Sequence, residues 1–385
     1  MPLSLTYLTS MSAIGGFLFG YDTSVISGAL ILIDDQFDLT DVQKGFIVST
    51  TVLGAWVASL VSGKLADLYG RKPLVLTSSL IFAIGSFILA FASDYETLVV
   101  GRFIVGLGVG AASMCMPMFL GEIAPPESRG TIVTCINVAI TGGQCISCLV
   151  CGGLSYLNNG WRYMFGIGAL PAVVQFFGFM FIPESPRWLI AQGRKVDAEK
   201  ALRTIRPRGE DINAEFSEMC LSAVGSGGHN SISEPPADMG NRDISNDIKE
   251  GLTSSSTLPE LNIYSFWTER NLFRALVLGC SIQACQQLVG INTVMYYSAT
   301  IMKQAGFDSR SAIWLSTGIS LCNFIGSLVG MNLVDRLGRR SLTLTSLLGV
   351  IFALAIISIT FYNAEVSSQA IPFDATNPST CREYR

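Results

Sequence analysis

Ionisable side chains are scarce in this sequence: Asp, Glu, Lys and Arg make up 14% of its 385 residues, where soluble domains carry about a quarter. The chain holds a single histidine, His229, set in a Ser/Gly tract with no neighbour to tune it, so histidine-based catalysis or metal binding has no material. No basic stripe exists either. The net charge is −4 and the basic residues fall in short clusters between apolar runs, which excludes a nucleic-acid partner. A basic region is missing ahead of the first apolar stretch, and that stretch outruns a signal peptide, so it reads as a retained first span. Cysteine is not lacking, but nearly all ten lie inside apolar runs, where a thiol behaves as a small hydrophobe and not as part of a disulfide scaffold.

What is abundant is apolar length, half of all residues. A membrane-spanning helix needs about 20 mostly apolar residues. Charge-poor windows of that kind recur nine times, at 5–31, 45–63, 74–92, 97–120, 131–153, 163–182, 275–301, 312–333 and 341–363. They are apolar nearly all round, unlike the core helices of a soluble protein, which keep polar faces at helical spacing. The expected fold class is therefore all-α, a polytopic membrane protein. Basic residues beside spans mark cytoplasmic loops. Lys64, Arg71 and Lys72 follow the second span, a group from Arg187 to Arg208 the sixth, and Arg336, Arg339 and Arg340 the eighth. The first outer loop carries Asp34, Asp35, Asp38 and Asp41 against Lys44 alone. The N-terminus is predicted cytoplasmic, and the odd number of spans places the C-terminus of the chain outside.

Four regions follow. Residues 1–183 form a six-span bundle, and 184–274 a cytoplasmic loop that begins with helix-compatible sequence at 194–206. Its Ser/Gly-rich insertion at 222–258 is expected to be disordered. Residues 275–363 supply three more spans and 364–385 an exofacial stub. GKLADLYGRKPL at 63–74 is echoed by MNLVDRLGRRSL at 331–342, each just after a span. Related halves that rock about a midplane site are an architecture of secondary transporters.

Asp22 interrupts the first span, where an ionisable group costs several kcal/mol unless paired or facing a wet cavity. Arg102 in the fourth span lies at comparable depth and is its natural partner. Such a pair can take up and release a proton as the helices rock, or can be a static ion pair that sets helix registry. Gln286, Gln287, Asn292, Tyr296 and Tyr297 make the seventh span unusually polar. Asn137 and Gln144 share a face of the fifth span, and Asn323 interrupts the eighth. Neutral amides and hydroxyls suit a hydroxyl-rich ligand, and they also serve as interhelical glue. Asp67 with Arg71 and Asp335 with Arg339 place a carboxylate four residues before an arginine at matching points of both halves. Glu122 with Arg129 and Glu184 with Arg187 add to that layer. A gate of breakable ion pairs is one reading, topogenic charge alone the other, and the repetition favours the gate.

Two look-alikes fall away. Gly106, Gly108 and Gly110 imitate a dinucleotide loop without a preceding strand, and close helix packing explains them better. Cys145, Cys148 and Cys151 share a helical face but have no fourth ligand, so no metal is expected. No nucleophile, base and orienter occur together, so the chain is not read as an enzyme, and no cofactor is implied.

GGFLFGYDTSVISGA, GRFIVGLGVG, GEIAPPESRG, PESPRWL, QQLVGINTVMYYSATI and DRLGRRSL, in this order, resemble the sugar porters of the major facilitator superfamily along essentially the whole chain. ITGGQ, GWRYM and PAVVQFFGFMFIPESPRWLI are most similar to the proton-coupled myo-inositol cotransporters within it. The resemblance implies a major facilitator fold with about nine of twelve transmembrane helices present, in an integral protein of the plasma membrane surrounded by lipid. Asp22 and Arg102 match the family's proton-coupling pair. Phe19, Asn137, Gln144, Gln286, Gln287, Asn292, Tyr296 and Asn323 match positions lining a polyol pocket. The implied function is proton-coupled symport of myo-inositol or a related polyol or sugar by alternating access. With three spans against six, the chain as written is expected to be inactive in net transport. A non-transporting polyol sensor or regulatory partner, and an uncoupled hexose facilitator, are the alternatives, the latter disfavoured by Asp22.

Overall fold

Polar punctuation between the apolar runs sets where each helix starts and stops. A computed structural model describes residues 5–125, 129–206, 212–225 and 270–369, and every regular element among them is a helix. Six long helices come first: α1 Leu5–Phe37, α2 Asp41–Tyr69, α3 Arg71–Ala90, α4 Tyr95–Ile123, α5 Arg129–Leu154 and α6 Gly160–Met180. Thr40 opens α2 with a capping box, its hydroxyl accepting from the Gln43 amide while the Gln43 side chain accepts from the Thr40 amide at 2.9 Å. Pro117 and Pro171 sit inside α4 and α6, as packed membrane helices tolerate. Among the described residues, nine stretches are long and apolar enough to cross a membrane.

The α1 helix is the hub, packing on α4, α5 and α6, while α2 and α3 pack on α4. Small residues let these backbones touch. A Cβ on Gly20 of α1 would stand 1.8 Å from the Ile140 carbonyl of α5. Gly106 and Gly110, which imitate a dinucleotide loop, do the same between α2 and α4, and Gly108 between α3 and α4; a Cβ on Gly106 would lie 2.2 Å from the Thr51 carbonyl.

Three short helices follow: α7 Pro186–Ala191, α8 Lys195–Ile205 and α9 Asn213–Gly225. Ser185 caps α7 and Pro186 starts it, the preferred residues for those positions. Leu189, Ile190, Ala198, Leu202, Ile212 and Met219 give this group its own apolar core. Buried Arg206 ties it to α4 by donating to the Ile123 carbonyl at 3.1 Å. The α9 helix runs through Gly225, so the first residues of the tract expected to be disordered at 222–258 are helical. The rest of that tract, His229 included, lies outside the described residues.

The last four helices are α10 Arg270–Leu288, α11 Ile291–Gln304, α12 Ser309–Leu337 and α13 Arg339–Gln369. The single seventh span expected at 275–301 is in fact broken into α10 and α11, because Gly290 adopts a left-handed φ of 82°. Tyr297 departs from helical geometry further on. The α13 helix continues to Gln369, into the stub expected from 364, and residues 370–385 lie outside the described residues. By contacts the chain divides into two compact units, 1–327 and 328–385. The second holds the end of α12, a turn at Gly338 with φ 76°, and α13, whose apolar side chains are exposed.

Candidate proton and substrate site

The first candidate lies inside the six-helix bundle. Arg102 on α4 donates from Nη1 to Asp22 Oδ1 on α1 at 2.6 Å, with Arg102 0% and Asp22 5% exposed. The guanidinium carbon sits 5.9 Å from the Phe165 ring centroid, which covers one face of the cation. Arg102 Nε and Nη2 are buried and have no hydrogen-bond partner. The pair is therefore formed but unsaturated. Around it, Tyr21 donates to the Met164 carbonyl at 2.7 Å and Thr23 to the Phe19 carbonyl at 2.7 Å. Phe19, Tyr296 and Tyr297 pack against the same apolar cluster.

A polar seam joins this bundle to α11 and the first part of α12. The Ser27 and Ser298 hydroxyls lie 2.9 Å apart, and Ser27 Oγ also accepts from the Ala299 amide at 2.9 Å. Cys148 Sγ and Ser320 Oγ are 3.2 Å apart, and Asn323 Nδ2 donates to Gln144 Oε1 at 2.8 Å. Of the residues expected to line a polyol pocket, the structure thus brings together Gln144 and Asn323. Asn292 donates to Gln287 across the break at 2.7 Å. Gln286 on α10 and Asn137 on α5 are exposed and do not join Gln144. Cys148 and Cys151 bond to a serine and to the Val25 carbonyl respectively.

The second candidate is a charge network at the end of the bundle where α2 turns into α3. Arg71 donates from Nε and Nη2 to Glu122 Oε1 at 3.2 and 2.9 Å and from Nη1 to the Ala66 carbonyl at 2.9 Å. Its Nη1 also lies 3.2 Å from Asp67, the expected pairing four residues apart. Glu122 accepts from the Ser185 hydroxyl as well. Glu184 does not pair with Arg187, which is exposed. It caps the N-terminus of α3 instead, accepting from the amides of Arg71 at 3.0 Å and Lys72 at 3.1 Å. The helix dipole and those free amides attract the carboxylate more firmly than a flexible arginine one turn away. Burial nevertheless raises the Glu184 pKa, its backbone donors opposing the shift. The side chains of Arg129, Asp335 and Arg339, named for the same gate, lie outside the described residues.

Residues 8–373 match the family model for the sugar (and other) transporter. The chain belongs to the sugar transporter family. It is 42% identical to the human proton myo-inositol cotransporter over all of its length and 56% of the relative's. It is 36% identical to the myo-inositol transporter 1 of Saccharomyces cerevisiae over 94% of this chain and 58% of that one. The chain thus spans little more than half the length of these curated relatives. A solved structure of the major facilitator proton:xylose symporter XylE, bound to 6-bromo-6-deoxy-D-glucose, matches with a TM-score of 0.68 at 25% identity, covering 87% of this chain and 70% of that one. The chain is accordingly an integral membrane protein with a major facilitator fold, and its relatives are transporters and not enzymes.

Sequence reasoning missed the Ser27–Ser298 clamp and the capping role of Glu184. A serine in an apolar run carries no sign of its partner, since only the crossing of α1 over α11 pairs them. Glu184 could have been found: it sits just ahead of Ser-Pro, facing a Gly-Arg-Lys turn that exposes helix amides.

Proposed function

We propose that this sugar transporter couples proton movement to symport of myo-inositol or a closely related polyol by alternating access. The observation that carries the reading is the buried, unsaturated Asp22–Arg102 pair, whose Asp22 lies on the helix that also forms the seam with α11. A carboxylate that gains or loses a facing cation changes its proton affinity. Rocking of α1 against α4 would alternately expose and neutralise Asp22, linking proton uptake to the state of the seam. Gln144 and Asn323 beside it present amide donors and acceptors that suit vicinal hydroxyls. The Arg71–Glu122–Glu184 network would lock the cytoplasmic end, with the N-terminus in the cytosol and the protein in the plasma membrane. The names of its human and yeast relatives support the substrate class.

The test is uptake of labelled myo-inositol into proteoliposomes under an imposed proton gradient. The chain is joined for this purpose to the part of the yeast relative that lies beyond their match. Saturable accumulation that collapses with the gradient is the expected result. Equal uptake without the gradient would leave an uncoupled facilitator, and specific binding without any uptake a sensor.

A further inference from the structure

A cleft of about 340 Å³ opens at the end of the bundle opposite the Arg71 network, between α1, the turn joining α5 to α6, and the start of α12. Asp35 lies 13 residues beyond Asp22 on α1, and Tyr156 lies 12 beyond Gln144. At 1.5 Å per residue both stand roughly 20 Å from the midplane residues, at the level where half a bilayer core of about 15 Å gives way to water. The cleft is therefore a mouth. It lies on the far side of the Ser27–Ser298 clamp from Gln144 and Asn323.

Its lining is chemically unlike a lipid-facing crevice. Asp35, Gln36, Asn158, Asn159 and Arg310 all border it. The Arg310 guanidinium carbon lies 5.3 Å from the centroid of the Tyr156 ring, and Arg310 forms no ion pair with a carboxylate among the described residues. Gln36 uses its oxygen to accept from the Trp161 indole at 2.9 Å, which orients its amide and leaves the NH2 group to donate. Asp35 gives Oδ1 to Lys303 at 3.3 Å, leaving Oδ2 as an acceptor. Asn158 and Asn159 are exposed amides on the turn, held in place by the left-handed backbone of Asn159 at φ 57°. Donors and acceptors thus alternate around one small concavity. That pattern suits a ring of vicinal hydroxyls, each of which both donates and accepts.

We propose that this cleft is a second, vestibular binding site for a neutral cyclic polyol, outside the central site and occupied before the ligand passes the Ser27–Ser298 clamp. The proposal rests on the polyol reading above. Asp35 pairs with Lys303, and Asp308, whose Oδ2 accepts from the Arg310 amide at 3.3 Å, stands beside the other cation, so the mouth is not an anion trap.

Asn158→Cys in the full chain, reconstituted in nanodiscs, tests it. A water-soluble thiol reagent is added with increasing myo-inositol, and the rate of modification at position 158 is read by peptide mass spectrometry, which separates it from the native cysteines. Expected is at least a threefold slowing by myo-inositol that persists when Gln144→Ala and Asn323→Ala are added. Arg310→Gln should shift the protecting concentration upward at least fivefold. Central-site binding is followed in parallel with labelled myo-inositol. Radioligand binding that depends on Gln144, without protection at 158, overturns the vestibular site alone. Absence of both overturns it together with the polyol reading. Protection by inorganic phosphate in place of myo-inositol overturns it in favour of an anion site. Because position 158 lies on an exposed turn, loss of fold is not expected, and Leu157→Cys, which borders the cleft outside its polar lining, gives a second reporter.

Discussion

Two acid–arginine clusters sit in one bundle and differ in how completely they are satisfied. Arg71 shares its N–H groups among Glu122, Asp67 and the Ala66 carbonyl, and the second carboxylate, Glu184, is held by backbone amides. Arg102 has one bond to Asp22 and two buried donors with no partner. A saturated network resists change, because breaking it strands several polar groups at once. An unsaturated pair loses less on rearrangement, and a water oxygen can accept from the donors it leaves over. Under the function proposed above, the difference suits structural locking at the edge cluster and proton exchange at the inner pair.

The sharpest way to break that assignment is to exchange loss of function for loss of stability. Asp22→Asn keeps the acceptor facing Arg102 but removes the titratable charge. Gradient-driven uptake by the chimaera used above should be abolished while labelled myo-inositol still binds; uptake equal to the parent's would make the pair merely structural. Glu122→Ala should do the reverse in the chain itself. It leaves Arg71, 8% exposed, without its principal carboxylate, at about 2–3 kcal/mol after discounting buried-pair costs for the remaining solvent access. Chemical or thermal unfolding of the purified protein measures this. If Asp22→Asn lowers stability more than Glu122→Ala, the two roles are assigned the wrong way round.

The membrane spans were legible because apolar length has no other common meaning, and each of the nine expected windows coincides with an apolar helical stretch. Asp22 and Arg102 were legible for the same reason, since a charge inside such a run must find a partner. What escaped was register. The break at Gly290 rests on one left-handed residue within an otherwise helix-compatible run, and it moves Gln286 to a helix other than the one carrying Tyr296. A helical wheel drawn across 275–301 therefore groups residues that the chain separates. The partner of Glu184 was misjudged likewise, because proximity in sequence favoured Arg187 while the fold offered the open end of α3.

Smaller changes sharpen the comparison within each cluster. Gly70 joins α2 to α3 at φ 102°, and a Cβ there would stand 2.4 Å from Glu184 Oε2. Gly70→Ala should cost roughly 1–3 kcal/mol, through backbone strain and displacement of the carboxylate. Unchanged unfolding would show that the turn is not held as described. Near the inner pair, Gln144→Ala removes the acceptor of Asn323, which is only part-buried, so polyol affinity should fall by about 1 kcal/mol, or roughly fivefold. Calorimetric titration with myo-inositol measures it, and an unchanged affinity removes Gln144 from the site.

The smallest expected effect concerns acid. Burial raises the Glu184 pKa above the ordinary glutamate value of about 4.3, so the folded bundle holds this proton more tightly than the unfolded chain does. The stability it contributes is then fully present below about pH 4.3 and is lost as the pH rises through the raised, folded value. Glu184→Gln removes this dependence while keeping a side chain that can accept from the α3 amides. Subtracting the variant's unfolding profile from the parent's between about pH 4 and about pH 7 isolates the group from every other carboxylate. The difference should decline toward neutrality. A difference that instead grows with pH would mean that the backbone donors of Arg71, Lys72 and Ser185 outweigh burial, and that the edge cluster is held by an ionised Glu184 stabilised on the helix end.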